Sequence, residues 1–307
     1  MPALTVVRPG MLTTAQDLGR WGHQDSGVPV AGPMDAYSHR LANRRAGNPD
    51  GAVTLEVTLI GPELTADGPV VCAVAGADFV VQVNGQVVST TGAFEVPAGA
   101  RLRFADRRKG GRAYLAVRGG FDVEELFGSA ATSVISRMGP FGGRPLKSGD
   151  RLPIGSAEGI ARPAGLPLAL PDGGARVRVM LGPHDAMFTR EAVETFFRTR
   201  FAITPQSNRM GYRLDGAPLA HSGPADILSD ATPMGSLQVP ASGQPILLMA
   251  DRQTTGGYPK IATVITADLP IAGQLVPGDW IEFQSCSRGD AIDRLHQQEA
   301  RLGGGPA

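Results

Sequence analysis

The sequence predicts a mainly β protein with a few short helices. Three observations carry that expectation. Glycine and proline are abundant, 41 and 25 residues of 307, while aromatics are few; without low-complexity runs, this composition fits many short strands joined by tight turns. The apolar residues fall into short β-branched or aliphatic runs of strand length, such as Arg176–Leu181 and Ile261–Ile265. Turn-forming dipeptides punctuate those runs, and Asn84-Gly85 between Val83 and Val87 is a strong type I′ hairpin signal.

Taken in order, a first strand covers residues 4–7 and is closed by Pro9-Gly10. A helix is expected from an Asp35 cap through about Ala46, with Tyr37, Leu41 and Ala42 inward and Gly47-Asn48-Pro49 as its stop. Residues 70–74, 79–83, 101–104 and 113–117 read as separate strands, parted by Gly-Ala-Asp, Asn-Gly and Pro-Ala-Gly turns. One helical turn is expected over 123–127, with Gly128 as a left-handed cap. Residues 156–175 are rich in Pro, Gly and Ala without a core pattern, so they read as a linker between a half at 1–155 and a half at 176–307.

The second half opens with a strand at 176–181. Thr189 then caps a helix, stapled by Phe188 and Val193, whose apolar face carries Phe196 and Phe197. Strands follow around Ile227-Leu228 and at 237–239, 245–250, 261–265 and 276–283, before an amphipathic helix at 290–302. Short strings of the first half, such as 110–117 and 148–154, echo strings of the second, 256–264 and 277–283, in the same order but at different spacings, which suggests an internal duplication.

Bulk properties exclude several classes. With 29 basic and 29 acidic residues the net charge is zero, so there is no electrostatic footprint for nucleic acid or for a membrane surface. No apolar run approaches spanning length and the first residues lack the pattern of a signal peptide, so a cytoplasmic protein is expected. Cys72 and Cys286 lack metal-ligand spacing and read as buried free thiols, and the five histidines are scattered without ligand spacing, each reading as a surface or capping residue. There is no Gly-x-Ser-x-Gly elbow, His-Glu-x-x-His, Walker loop or biotin-attachment stretch. Any biotin must arrive on another polypeptide, and any ATP chemistry must occur on another subunit.

The polar residues concentrate in four glycine-punctuated segments, 13–22, 27–35, 207–213 and 251–260. The last, Asp-Arg-Gln-Thr-Thr-Gly-Gly-Tyr-Pro-Lys, lies between two apolar runs and holds more polar chemistry than a hairpin needs. Its Gly256-Gly257 pair could turn backbone N–H groups toward an anion. Buried groups of these types each need a partner, so the segments are expected to converge on one cleft. The competing reading makes Asp17 with Arg20, and Asp251 with Arg252 or Arg209, structural ion pairs. The inventory suits chemistry at an amide or ureido carbonyl. Asn208, Gln253 and backbone N–H groups would receive a developing oxyanion, Lys260 or Arg209 would hold a carboxylate or phosphate, and Asp251 or Tyr258 would carry a proton.

The string DRQTTGGYPKIATVI at 251–265, with TTAQDLGRWG at 13–22, GVPVAGPMD at 27–35 and LANRRAGN at 41–48, resembles the signatures of the allophanate hydrolase subunit 2 family. That family covers the carboxyltransferase domain of urea carboxylase, the C subunit of prokaryotic 5-oxoprolinase and KipA-type antagonists of a kinase inhibitor. Ala31 and Pro33 stand where the family often has Ser and Ala. The resemblance implies two cyclophilin-like β-barrel halves. It implies an ATP-dependent conversion of 5-oxo-L-proline to L-glutamate, carried out with a KipI-like B subunit and a LamB/YcsF-like A subunit. The alternatives are carboxyl transfer from biotin on a partner and a non-enzymatic antagonist. From the chemistry of the four polar segments, the site residues expected are Asp251, Tyr258, Asn208 and Gln253 as catalytic groups. Arg209, Tyr212, Gln238, Thr254, Thr255, Gly256, Gly257 and Lys260, with Asp17, Arg20, Met34 and Asp35, would bind a small-molecule substrate.

Overall fold

The structure is a computed structural model that describes residues 1–156 and 162–305. The chain divides into two compact units: residues 1–20, 31–170 and 299–307 form one, and residues 21–30 and 171–298 form the other. Part of the stretch expected as a linker, 157–161, lies outside the described residues; residues 162–171 carry neither helix nor strand.

The first unit is built on a nine-stranded sheet. Its strands are β1 (Ala3–Arg8), β2 (Leu12–Gln16), β3 (Thr54–Thr58), β4 (Glu63–Ala66), β5 (Val70–Val83), β6 (Gln86–Val87), β7 (Ala93–Val96), β8 (Arg101–Val117) and β9 (Arg151–Pro153). The main path runs β2-β3-β8-β4-β1-β9, and β5 pairs with β6, β7 and β8. Leu4, Val57, Leu64, Leu102 and Leu115 are fully buried within it, each stabilising the fold by roughly 1.5–3 kcal/mol.

β5 and β8 correct the expectation from sequence. Each was expected as two short strands, yet β5 runs unbroken for 14 residues and β8 for 17. The Gly76-Ala-Asp stretch is a set of bulges rather than a turn: the register against β8 shifts around Asp78, and Gly76 takes φ +98. A glycine inside a strand marks this kind of bend as readily as it marks a chain reversal. The expected turn at 84–85 is present, with both central residues at positive φ and Val83 opposite Gln86.

The helix Ala36–Ala46 forms as expected. The Asp35 carboxylate accepts from Ser38 N at 2.8 Å, and Gly47, at φ +82, closes the other end. Residues 123–127 form no helix; Phe127 and Gly128 take positive φ in a tight turn that brings Leu126 and Ser129 together.

The second unit contains a closed barrel. Its strands, with a two-stranded accessory sheet, are β10 (Gly174–Leu181), β11 (Phe201–Ile203), β12 (Gly211–Asp215), β13 (Asp230–Ala231), β14 (Ser236–Gln238), β15 (Ile246–Leu248), β16 (Thr255–Gly256), β17 (Lys260–Val264) and β18 (Trp280–Ser285). The barrel order is β10-β17-β14-β15-β12-β11-β18, and it closes by parallel pairing of β18 with β10. At the closing pair, Gly174 faces Trp280; a Cβ there would lie 2.3 Å from the indole. The mainly β class therefore holds, with a closed barrel in one unit and an open sheet in the other.

Thr189 caps the helix Arg190–Arg198 by accepting from Ala192 N at 3.1 Å, and Phe196 stacks on Phe283 at 4.7 Å. No strand forms at Ile227-Leu228, where Leu228 is 95% exposed and β13 begins two residues later. The last helix, Arg288–Leu302, starts two residues early, and of its apolar residues Leu302 is buried while Ile292 is exposed. Cys72 is buried, which pushes its thiol up to about 12, whereas Cys286 is only half-buried. No helix among the described residues is long and apolar enough to cross a membrane.

Candidate functional site

In the second unit the decapeptide 251–260 is held from below by its own neighbours. Arg209 donates twice to Asp251, from Nε at 3.0 Å and Nη2 at 2.9 Å, and both side chains are at most 5% exposed. Asp251 N also donates to Arg209 O at 2.8 Å, so the segments 207–213 and 251–260 are joined through backbone and side chain together. Of the two pairings left open by the sequence, Asp251 takes this bidentate contact with Arg209. Arg252 is turned inward, with Nε donating to Thr232 O at 2.6 Å, and burial pulls its guanidinium down to about 10 against the pull of Asp251.

The middle of the loop is shaped by residues outside it. Thr232 is buried, its hydroxyl donates to Gln253 O, and its N–H donates to Thr254 O at 3.0 Å. β13 pairs with β16, setting Asp230 opposite Gly256 and Ala231 opposite Thr255. Gln253 Nε2 donates to Gln238 Oε1 at 3.2 Å, and Gln238 Nε2 donates to Tyr258 O at 3.4 Å. A Cβ on Gly256 would sit 2.6 Å from Gln238 Nε2, so a larger residue there would displace the Gln238 amide. Neither Gly256 nor Gly257 takes positive φ, which corrects the expectation of an anion nest built on that conformation.

Lys260 is buried. Its ammonium donates to the Asp230 carboxylate and, at 2.7 Å, to Ala231 O, while its N–H reaches His184 Nδ1 at 3.3 Å. The lysine ammonium holds the Asp230 carboxyl below the usual carboxylate range. Tyr258, 41% exposed, Thr255 and Asn208 present side chains to solvent, although Asn208 Oδ1 also accepts from Met210 N at 2.8 Å. Tyr212, expected at the site, is buried with its hydroxyl 3.1 Å from the carbonyls of Ala272 and Leu275.

The first unit carries its own polar cluster. Asp17 accepts from Gly19 N at 2.8 Å, Ser129 Oγ at 2.6 Å and Ala130 N at 2.7 Å. Arg20 is 1% exposed and donates from Nε to Leu126 O at 3.3 Å. Met34 and Asp35 are tied by a buried acid that sequence reasoning did not single out. Glu56 Oε2 accepts from Met34 N at 2.9 Å and from Tyr114 Oη at 2.7 Å, and Tyr114 in turn accepts from Asp35 N at 2.8 Å. Burial, with Glu56 beside it, pushes the Tyr114 phenol well above its ordinary value. The signal for Glu56 was present: it is a charged residue inside the apolar string 53–60, and a buried charge needs partners.

His39 was expected at the surface but is fully buried, with Nδ1 2.8 Å from Thr54 Oγ1. Thr232 and Asp230 were also missed. No local pattern marks a threonine or aspartate whose partners lie 20 to 30 residues further along the chain. Thr232→Val is expected to cost about 1–2 kcal/mol, because it takes the hydroxyl donor from the part-buried Gln253 carbonyl, and Thr232→Ser is expected to recover most of that. Denaturant unfolding of the three proteins checks it; equal midpoints for wild type and the Val variant would contradict the clamp.

A family model described as the carboxyltransferase domain, subdomain A and B, matches residues 26–285. The chain belongs to that family. Among its relatives, the 5-oxoprolinase C subunit of Escherichia coli (strain K12) is 40% identical over 96% of this chain and 95% of that protein. The 5-oxoprolinase C subunit of Haemophilus influenzae is 35% identical over 94% and 93%. The crystal structure of Kluyveromyces lactis urea carboxylase matches with a TM-score of 0.91 at 34% identity, covering 98% of this chain and 29% of that one. The chain thus spans nearly all of the bacterial relatives but less than a third of the urea carboxylase.

Proposed function

We propose that this chain is the C subunit of a prokaryotic ATP-dependent 5-oxoprolinase. It acts with a KipI-like B subunit and a LamB/YcsF-like A subunit to convert 5-oxo-L-proline to L-glutamate, with ATP used on another subunit. The observation that carries this reading is end-to-end similarity: the relatives named as 5-oxoprolinase C subunits are matched over at least 93% of their length. Opening a lactam develops negative charge on the carbonyl oxygen and needs a proton for the departing nitrogen. In this reading the exposed face of the decapeptide (Gln253, Thr254, Thr255, Gly256, Gly257 and Tyr258), with Asn208, receives the substrate, and the Tyr258 hydroxyl carries the proton. The Asp251–Arg209 pair, Gln238 and Lys260 act from behind as braces. Asp17, Arg20, Met34 and Asp35, hydrogen-bonded within the first unit's own polar cluster, support that unit's structure on this reading.

Co-expression with the genes encoded beside it, followed by an assay of ATP-dependent 5-oxoproline consumption, tests the reading. Omitting this chain is expected to abolish turnover, and Tyr258→Phe is expected to lower it about a hundredfold with the complex still assembled. Undiminished activity without this chain would end the proposal.

A second reading has support from the match to urea carboxylase: transfer of a carboxyl group from biotin carried by a partner. Carboxylation of urea by the reconstituted system, with no loss of 5-oxoproline, would favour it. A non-enzymatic antagonist would keep its binding in both Asn208→Ala and Tyr258→Phe and would show no turnover in either assay.

A further inference from the structure

Residues 101–112 hold six cations against one acid in a chain whose net charge is zero. They lie along and beside β8, where Arg101, Arg103, Arg107 and Arg108 are exposed. Next to them the surface of the first unit opens into a groove of about 440 Å3, formed where the β1–β2 turn crosses the β3–β4 turn against the middle of β8.

The groove is closely packed at its base. Met11 N donates to Ile60 O at 3.0 Å. Gly10, at φ +75, approaches so closely that a Cβ would lie 2.2 Å from Ile60 O, and a Cβ on Gly61 would lie 2.1 Å from Phe104 Cβ. Two large apolar side chains on it are exposed, Met11 at 51% and Ile60 at 62%. Of the charges lining it, Glu63 is taken by Arg101 at 2.9 Å, and Asp106 is the other acid. The guanidinium groups of Arg8 and Arg103 in the lining, and of Arg108 further along β8, have no hydrogen-bond or ion-pair partner among the described residues. An apolar pair flanked by unpaired arginines is the composition of an interface centre with a charged rim, and the local excess of positive charge selects an acidic counterpart.

We propose that this groove is a docking surface for a partner protein subunit, which sets an apolar side chain between Met11 and Ile60 and acidic side chains against Arg8, Arg103 and Arg108. The proposal rests on the multi-subunit reading above. An apolar rim adds nothing to phosphate recognition, so a protein segment fits better than nucleic acid.

The test uses the full chain and the separately purified B-type and A-type subunits encoded beside it, with association measured by calorimetry at about 50 and about 300 mM NaCl, conditions that change screening strongly. Wild type is expected to bind one of the subunits and to weaken about tenfold at the higher salt. Ile60→Asp and the double variant Arg103→Glu/Arg108→Glu are each expected to lose about tenfold or more in affinity, while Tyr258→Phe binds as wild type. Unfolding midpoints confirm that these surface variants remain folded. If wild type binds and both groove variants bind equally well, the docking surface is wrong while the complex reading stands. If wild type binds neither subunit, or binds a DNA duplex in their place, both fall.

Discussion

Asp251→Ala is expected to destabilise the protein by about 3–5 kcal/mol, the cost of removing one partner of a buried ion pair. Arg209 and Asp251 are at most 5% exposed and joined by two hydrogen bonds, so solvent screening offers little relief. Truncating the acid removes the guanidinium's two hydrogen bonds to Asp251 and leaves backbone contacts such as Asp251 N to Arg209 O to join the 251–260 loop to the 207–213 segment. Replacing both partners, as Arg209→Met with Asp251→Leu, is expected to restore much of the loss, because two apolar groups of similar volume carry no desolvation cost. Urea unfolding of wild type, single and double variants decides it. A single variant within about 1 kcal/mol of wild type would mean the pair behaves as a surface contact. The consequence for assays is direct: lost turnover in Asp251→Ala reports a collapsed scaffold, and Tyr258→Phe and Asn208→Ala are the cleaner probes of chemistry.

Acidification is expected to weaken the first unit through His39. Burial holds this imidazole down at about 4 from an ordinary 6.5, outweighing the opposing pull of Asp17, Glu56 and Asp50. Between those two values the unfolded chain binds a proton that the folded chain does not, so stability is full above pH 6.5 and falls as the pH drops toward 4. The shift corresponds to about 3 kcal/mol. Asp50 acts in a lower window: although it is partly buried, Arg44 and Arg40 hold its carboxyl at about 2, so its contribution is lost only below about pH 4. Unfolding free energies measured from pH 7 to pH 4 for wild type and His39→Gln separate the two, since the variant should lose the slope above pH 4. The same slope in both proteins would assign it elsewhere.

What could be read from the sequence was whatever a short window encodes. The helix at 36–46 was legible because Asp35 and Gly47 satisfy its ends locally, and the hairpin at 84–85 because both residues tolerate positive φ. Gly76 shows the limit of that approach: one residue type serves both turns and bulges, and only the partner strand decides which. The four polar segments were visible as loops too polar to be packing material. Their internal wiring was not. Asp251 has two candidate cations by sequence, and the choice of Arg209 depends on the pairing of β12 with β15, which brings the two loops together. Lys260 was expected to face a ligand and instead turns to Asp230, thirty residues earlier, because β13 folds back over the loop. Glu56 was legible in principle as an ionisable group in an apolar strand; Thr232 was not.

Leu302, near the end of the last helix, packs with Tyr37 and Leu41 in the core beneath the helix Ala36–Ala46. Two contacts accompany it: Arg44 Nη1 donates to Leu302 O at 2.9 Å, and Arg40 grips Glu299 with two hydrogen bonds. During translation, therefore, the core beneath the helix Ala36–Ala46 is not complete until residue 302 has been made. A product cut short of residue 302 leaves Tyr37 and Leu41 without that apolar neighbour, which makes it a natural client for chaperones and proteases.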